Sequence, residues 1–193
     1  MLRRIARLAP FLLLVFAALP AQARVTITFW SYENGGDFPH AFFTIHGVPD
    51  RGGGPVRLSY GFTAKAVTPA ILLGSVPGKI DLTTKGYVAK SLAHFATPIS
   101  DEQYDAVVRL VSEWNTKGGN SYNVNNRNCV HFVAEAMRRS GLRVTIDKKL
   151  IKKPRSFTRS IAAQNVGRVA VIDKPSVPYL AATPALVGVG VGK

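Results

Sequence analysis

The one cysteine of this 193-residue chain, Cys129, stands in Asn128-Cys129-Val130-His131-Phe132-Val133, where helical spacing of apolar residues begins. A thiol at a helix start faces unpaired backbone N–H groups and the positive end of the helix dipole, and both favour the thiolate. With no second cysteine an intrachain disulfide is excluded. The chemistry that such a thiol would do is nucleophilic attack; a buried structural thiol is the alternative. The reactive reading predicts a thiol pKa well below the ~8.5 of a free cysteine.

A nucleophile needs a base, and four histidines compete for the role. His131 is nearest in sequence, but residues two apart on a helix point about 200° from each other, so it turns away from the thiol. His40 and His46 lie on one strand face, roughly 20 Å apart at ~3.3 Å per residue, so at most one reaches the sulfur. His40 follows a Gly- and Pro-containing loop at the strand's start, where a sheet meets its rim, whereas His46 runs into Gly47 at the other end. His94 sits in a weak strand pattern with no supporting motif. His40 is the expected base.

A third group should orient the imidazole. If Gly47 and Pro55 close the hairpin, His40 faces Phe62 and Phe42 faces Tyr60, which makes Tyr60 a diagonal neighbour of His40 on the same sheet face. Its hydroxyl is the expected orienting group, and an aromatic packing residue is the alternative. A one-residue slip would turn Tyr60 to the other face and bring Ser59 or Gly61 across.

The elements that must hold these residues run strands first, then helices. Val25–Trp30, His40–His46 and Val56–Phe62 read as strands, with loops at 31–39 (Gly35, Gly36, Pro39) and 48–54. Residues 63–86 are turn-rich and indistinct, and Tyr87–Ile99 reads as a further strand. Ser100 and Gln103 form a capping box ahead of Tyr104, Val107, Val108, Val111 and Trp114, and Gly118-Gly119 stops that helix. A second helix runs from Asn128 to Gly141, with Val130, Val133, Ala136 and Met137 on one face. Leu142–Ile146 reads as a strand, Ser156–Asn165 as a short helix, and 169–172 as an apolar run. The order predicts an α+β domain, an antiparallel sheet packed against helices, over residues 24–172, with 173–193 a loose tail.

Arg3, Arg4 and Arg7, then an apolar run from Phe11 to Leu19, then Ala21-Gln22-Ala23, make a tripartite export signal over residues 1–23. The run is shorter than the ~20 residues of a membrane span, so the expected location is periplasmic or secreted, with Arg24 the first mature residue. Three of the chain's net +14 charges fall in that signal. Ten Lys and Arg lie between Arg138 and Arg168 against Asp147 alone. Such a segment, Lys148, Lys149, Lys152, Lys153 and Arg155 above all, favours an anionic cell-wall polymer or membrane surface. Nucleic acid ranks last, because the chain is exported and carries no nucleic-acid-binding signature. The four scattered histidines and single cysteine give no metal-binding spacing, and no cofactor motif is present.

A strand histidine early, in Pro39-His40-Ala41-Phe42, and a helix-leading cysteine late, in Tyr122-Asn123-Val124-Asn125-Asn126-Arg127-Asn128-Cys129, resemble the circularly permuted papain-like proteins. That superfamily includes the lecithin:retinol acyltransferase-like proteins, the PPPDE peptidases and permuted relatives of NlpC-type cell-wall hydrolases. Asn128-Cys129-x-His131-Phe132-Val133 is similar to the Asn-Cys-Glu-His-Phe-Val stretch of the acyltransferase branch, with Val130 in place of Glu. The resemblance implies a permuted papain-like fold over about residues 25–146, a nucleophile at Cys129, a base at His40 and a polar third residue on the following strand. The expected activity is cysteine-dependent hydrolysis of an amide, such as a cell-wall peptide, through an acyl thioester. The Cys129 N–H would be one oxyanion donor and a side chain between Tyr122 and Asn126 the other. The alternatives are a lipid-directed thioesterase, phospholipase or acyltransferase, and a non-catalytic cationic binding protein.

Overall fold

The computed structural model describes residues 25–33, 38–116 and 120–186. The expected export signal, the Gly35-Gly36 part of the first loop and the Gly118-Gly119 helix stop lie outside these residues. The chain builds a seven-stranded antiparallel sheet in the order β6-β4-β3-β2-β1-β5-β7, with six α-helices among the described residues. The strands are β1 (Thr26–Tyr32), β2 (His40–Gly47), β3 (Val56–Ala64), β4 (Val76–Asp81), β5 (Leu92–Pro98), β6 (Ser121–Tyr122) and β7 (Ala170–Pro175). The helices are α1 (Ala70–Leu73), α2 (Lys85–Ala89), α3 (Asp101–Asn115), α4 (Cys129–Arg139), α5 (Pro154–Gln164) and α6 (Ser176–Ala181). The fold is α+β, as the order of sequence patterns predicts. No helix of the described residues is long and apolar enough to cross a membrane.

Side-chain alternation along β1 and β2 splits the interior into two cores. Ile27, Phe29, Ala41, Phe43 and Ile45 face α3, α4 and α5, meeting Leu110, Phe132, Met137 and Phe157 in the larger core. Trp30 and Phe42 face the other way, meeting Val88 from α2 and Leu186 from the chain's end. Both long helices begin as their sequences dictate. The Ser100 hydroxyl accepts from the Gln103 N–H while the Gln103 side chain accepts from the Ser100 N–H, and Asn128 caps α4.

Five local expectations are corrected. The β2–β3 hairpin closes on Gly47 and Val56, one residue later than expected, so Phe42 faces Gly61 and Phe43 faces Tyr60. Residues 63–86 are not formless: β4 is there, with Pro77 and Gly78 inside it, and Gly78 leaves the space into which the Phe62 ring reaches, where an added Cβ would lie 2.6 Å from its Cζ. The start of the expected 87–99 strand is instead helix α2, capped by the Thr84 hydroxyl, which accepts from the Tyr87 N–H. Leu142–Ile146 pairs with no strand: side-chain amides at the end of α5 take that place. Asn165 accepts from the Arg143 N–H and donates to its carbonyl, and Gln164 does the same for Thr145. Beyond 172 the expected loose tail carries the end of β7, then α6, and buries Leu186 beneath the sheet.

Candidate functional site

The turn that leads into α4 is fixed before the helix begins. Asn123 and Arg127 exchange backbone hydrogen bonds of 3.0 and 2.9 Å, and the Arg127 guanidinium lies 3.8 Å over the Trp114 ring. Asn128 uses its whole side chain. Its Oδ1 accepts from the N–H groups of Val130 (2.9 Å) and His131 (3.3 Å), and its Nδ2 donates to the carbonyls of Val124 and Ile151, both at 2.8 Å. His131 turns back onto this cap, Nδ1 lying 2.9 Å from Asn128 Oδ1, and so faces away from the thiol. Cys129 is thereby held as the first residue of α4.

The thiol meets a cavity of ≈ 410 Å³ at the rim of β2, which Cys129 and His40 both line, with Tyr32, Thr63, Asp81, Tyr87 and Tyr122 among the other walls. Cys129 belongs to the larger core, whereas the His40 ring lies over Phe42 (centroids 6.4 Å apart, 12° between planes) on the opposite sheet face. The two reach the same cavity from opposite faces of the sheet. Among the described residues no hydrogen bond joins them, and His40 Nε2 is buried with no partner.

Burial governs both groups. It pushes the Cys129 thiol up to about 11, although the backbone N–H groups of Ala41, Val130 and Cys129 itself act toward the thiolate. The expectation of a depressed thiol pKa is therefore corrected: the helix start is where it was expected, but desolvation outweighs it. Burial likewise lowers His40 to about 4, against the smaller raising effect of Asp81. At neutral pH the site rests as neutral thiol and neutral imidazole.

The structure brings Cys129 and His40 to one cavity and does not bring Tyr60 there. In the observed register Tyr60 opposes Phe43 and its ring sits edge-on to that side chain, 5.9 Å away, in the larger core. In its place on the His40 face stands Gly61. A Cβ there would collide with His40 Nε2 and lie 3.2 Å from Cε1, so the absent side chain is the notch that holds the imidazole. Asp81 pairs with Gly61 across β3 and β4, which puts its side chain on the same face beside that notch.

Sequence reasoning met Gly61 only as the outcome of a one-residue register slip and missed Asp81. A glycine inside a strand marks a close approach, and Asp81 is the one acidic residue between Asp50 and Asp101. Tyr122, at the edge of the stretch expected to supply an oxyanion donor, also lines the cavity. Burial first, and Cys129 second, push its hydroxyl up to about 12, so it stays protonated.

A second polar cluster brings in His94. Ser31 Oγ lies 2.8 Å from His94 Nε2, and His94 Nδ1 lies 3.1 Å from Asp173 Oδ1. Arg159 grips both Asp173 oxygens, at 2.9 and 2.8 Å. An apolar hollow of ≈ 250 Å³ touches His94, Asp173 and Arg159, but Ser31 lines neither it nor the Cys129 cavity.

Comparison of the chain with protein-family models, with curated proteins and with solved structures gives no match.

Proposed function

We propose that this chain is an exported cysteine hydrolase that cleaves an amide, such as a cell-wall peptide, through an acyl thioester, on a circularly permuted papain-like frame. The observation that carries the reading is the single cavity lined by a helix-leading thiol and by an imidazole whose Nε2 has no partner. In the proposed reaction a substrate carbonyl enters beside Cys129. The thiol proton moves to His40 as the sulfur–carbon bond forms, so a free thiolate need not persist in the dry site. The negative oxygen that develops is held by the Cys129 N–H and the protonated Tyr122 hydroxyl. The imidazolium, steadied by Asp81 beside the Gly61 notch, returns its proton to the leaving amine. Water then attacks the thioester with His40 again as base, releasing the carboxylate and the free thiol.

Cell-wall peptide fragments offered to the purified protein test this. New amine groups should appear with the unaltered chain and not with Cys129→Ser. Release of fatty acid from phospholipid vesicles instead would move the reading to the lipid-directed alternative. A non-catalytic binding protein is the second reading, favoured by the neutral resting state of both groups; no turnover of either substrate would establish it.

A further inference from the structure

The turn that positions Cys129 is tied to two exposed surfaces of opposite character. On one side Asn128 Nδ2 donates to the Ile151 carbonyl at 2.8 Å, which fixes the loop carrying Lys148, Lys149, Lys152 and Lys153 against the start of α4. All four lysines are exposed, and none makes an ion pair among the described residues. Arg51, Arg139 and Arg159, by contrast, are all matched to carboxylates. On the other side Asn123 Nδ2 donates to Ser75 Oγ at 3.2 Å, which fixes the end of α1 beside the same turn. There Leu72 and Leu73 are 70% and 89% exposed. Phe38 and Val67, 61% and 63% exposed, line the Cys129 cavity.

Apolar side chains left this open lose free energy in water, and lone ones would need no comment, but two line the cavity and two more stand on the helix tied to its turn. Unpaired lysines and open apolar side chains tied to the same turn match the one surface that offers anionic headgroups and hydrocarbon within a few ångström of each other. A soluble polyanion would satisfy the lysines and leave the leucines in water.

We propose that the Lys148–Lys153 loop and the Phe38, Val67, Leu72 and Leu73 rim form one docking surface for an anionic lipid bilayer, which sets the mouth of the cavity against the membrane. The docking does not depend on any reaction at Cys129.

The test is flotation of the purified exported protein with phosphatidylglycerol-containing vesicles and with pure phosphatidylcholine vesicles. Intact mass must first show that residues 1–23 are gone, so that a retained apolar segment is not counted as docking. Binding should require the anionic lipid and fall steeply as salt rises. With each surface lysine contributing about fivefold, Lys148→Glu/Lys149→Glu/Lys152→Glu should weaken it on the order of a hundredfold or more. Leu72→Ser/Leu73→Ser, on exposed positions where the fold has little to lose, should weaken it at least tenfold at unchanged charge. Cys129→Ala should float like the unaltered chain, which separates failure of docking from failure of the proposed chemistry. Absence of flotation, equal flotation with neutral vesicles, or binding that ignores the leucine substitutions would each overturn the proposal. The last, together with salt-sensitive capture by a soluble anionic wall polymer, would make the partner a polymer.

Discussion

Ser31–His94–Asp173 has the hydrogen bonds of a catalytic triad, and Cys129–His40 has none, yet the proposed chemistry belongs to the second region. In the first, every polar atom is engaged: Ser31 and His94 are each 1% exposed, and the Asp173 carboxylate is held by Arg159. The cluster sits where the β5–β7 pairing slips between Ala93 and Phe95, and Asp173 takes a left-handed backbone (φ 43°) opposite that irregularity. It clasps β7 and α5 to the sheet. In the second, an imidazole nitrogen is buried without a partner beside a cavity, a state that costs about 1–3 kcal/mol. A catalytic role is one of the ways in which such a group is accounted for. The two regions differ in what is left unmatched: the first has its polar atoms paired, and the second keeps an imidazole nitrogen without a partner in a residue that lines a cavity.

Exchanging roles breaks the comparison most forcefully. Cys129→Ser should reduce acyl transfer at least a thousandfold, because a hydroxyl is far less nucleophilic, while Ser31→Ala should leave turnover within about threefold. Leaving-group release under matched conditions reads both.

The histidines should separate turnover from stability. His40→Ala should lower turnover by about 10²–10⁴, the range for a lost general base. His94→Ala strands Ser31, takes one partner from Asp173 and opens a cavity, and should cost about 3 kcal/mol of stability, read as a lower urea midpoint, with much less effect on turnover per folded molecule.

The notch gives a smaller effect. Gly61→Ala drives a Cβ into the imidazole and should cost about a hundredfold in turnover through misplacement of the base. Asp81→Asn should cost about tenfold and move the acid limb of the pH–rate profile to lower pH, since Asp81 raises the His40 pKa.

Acid stability provides the mildest test. His40 is lowered from 6.5 to about 4 by burial. Between these values the unfolded chain binds a proton that the folded chain refuses. Stability is thus full above about pH 6.5 and is lost as pH falls toward 4, by about 3 kcal/mol from this group. Burial lowers His46, His94 and His131 too, which steepens the same limb. His40→Phe should flatten part of the slope in urea midpoints measured at several pH values.

The legible parts of the molecule are those with local signals. The Ser100–Gln103 capping box announced α3, helical spacing of apolar residues announced α4, and strand patterns announced β1 to β3. β4 was hidden because Pro77 and Gly78 read as turn, although backbone pairing with β3 and β6 fixes the strand. Asp81 was hidden with it. β7 is mostly exposed, so the apolar run at 169–172 marked only its start. Tyr60 was misplaced by one residue of hairpin register, and a one-residue offset reverses every side chain on a strand. The thiol's placement was legible and its pKa was not, because burial is a property of the assembled core.

The most direct measurement is acylation by p-nitrophenyl acetate, followed by intact mass and peptide mapping. The account predicts one acyl group, on Cys129, lost in Cys129→Ala and retained in Ser31→Ala. An acyl group on Ser31, or none on any residue while Cys129 remains free and the chain remains folded, would contradict it.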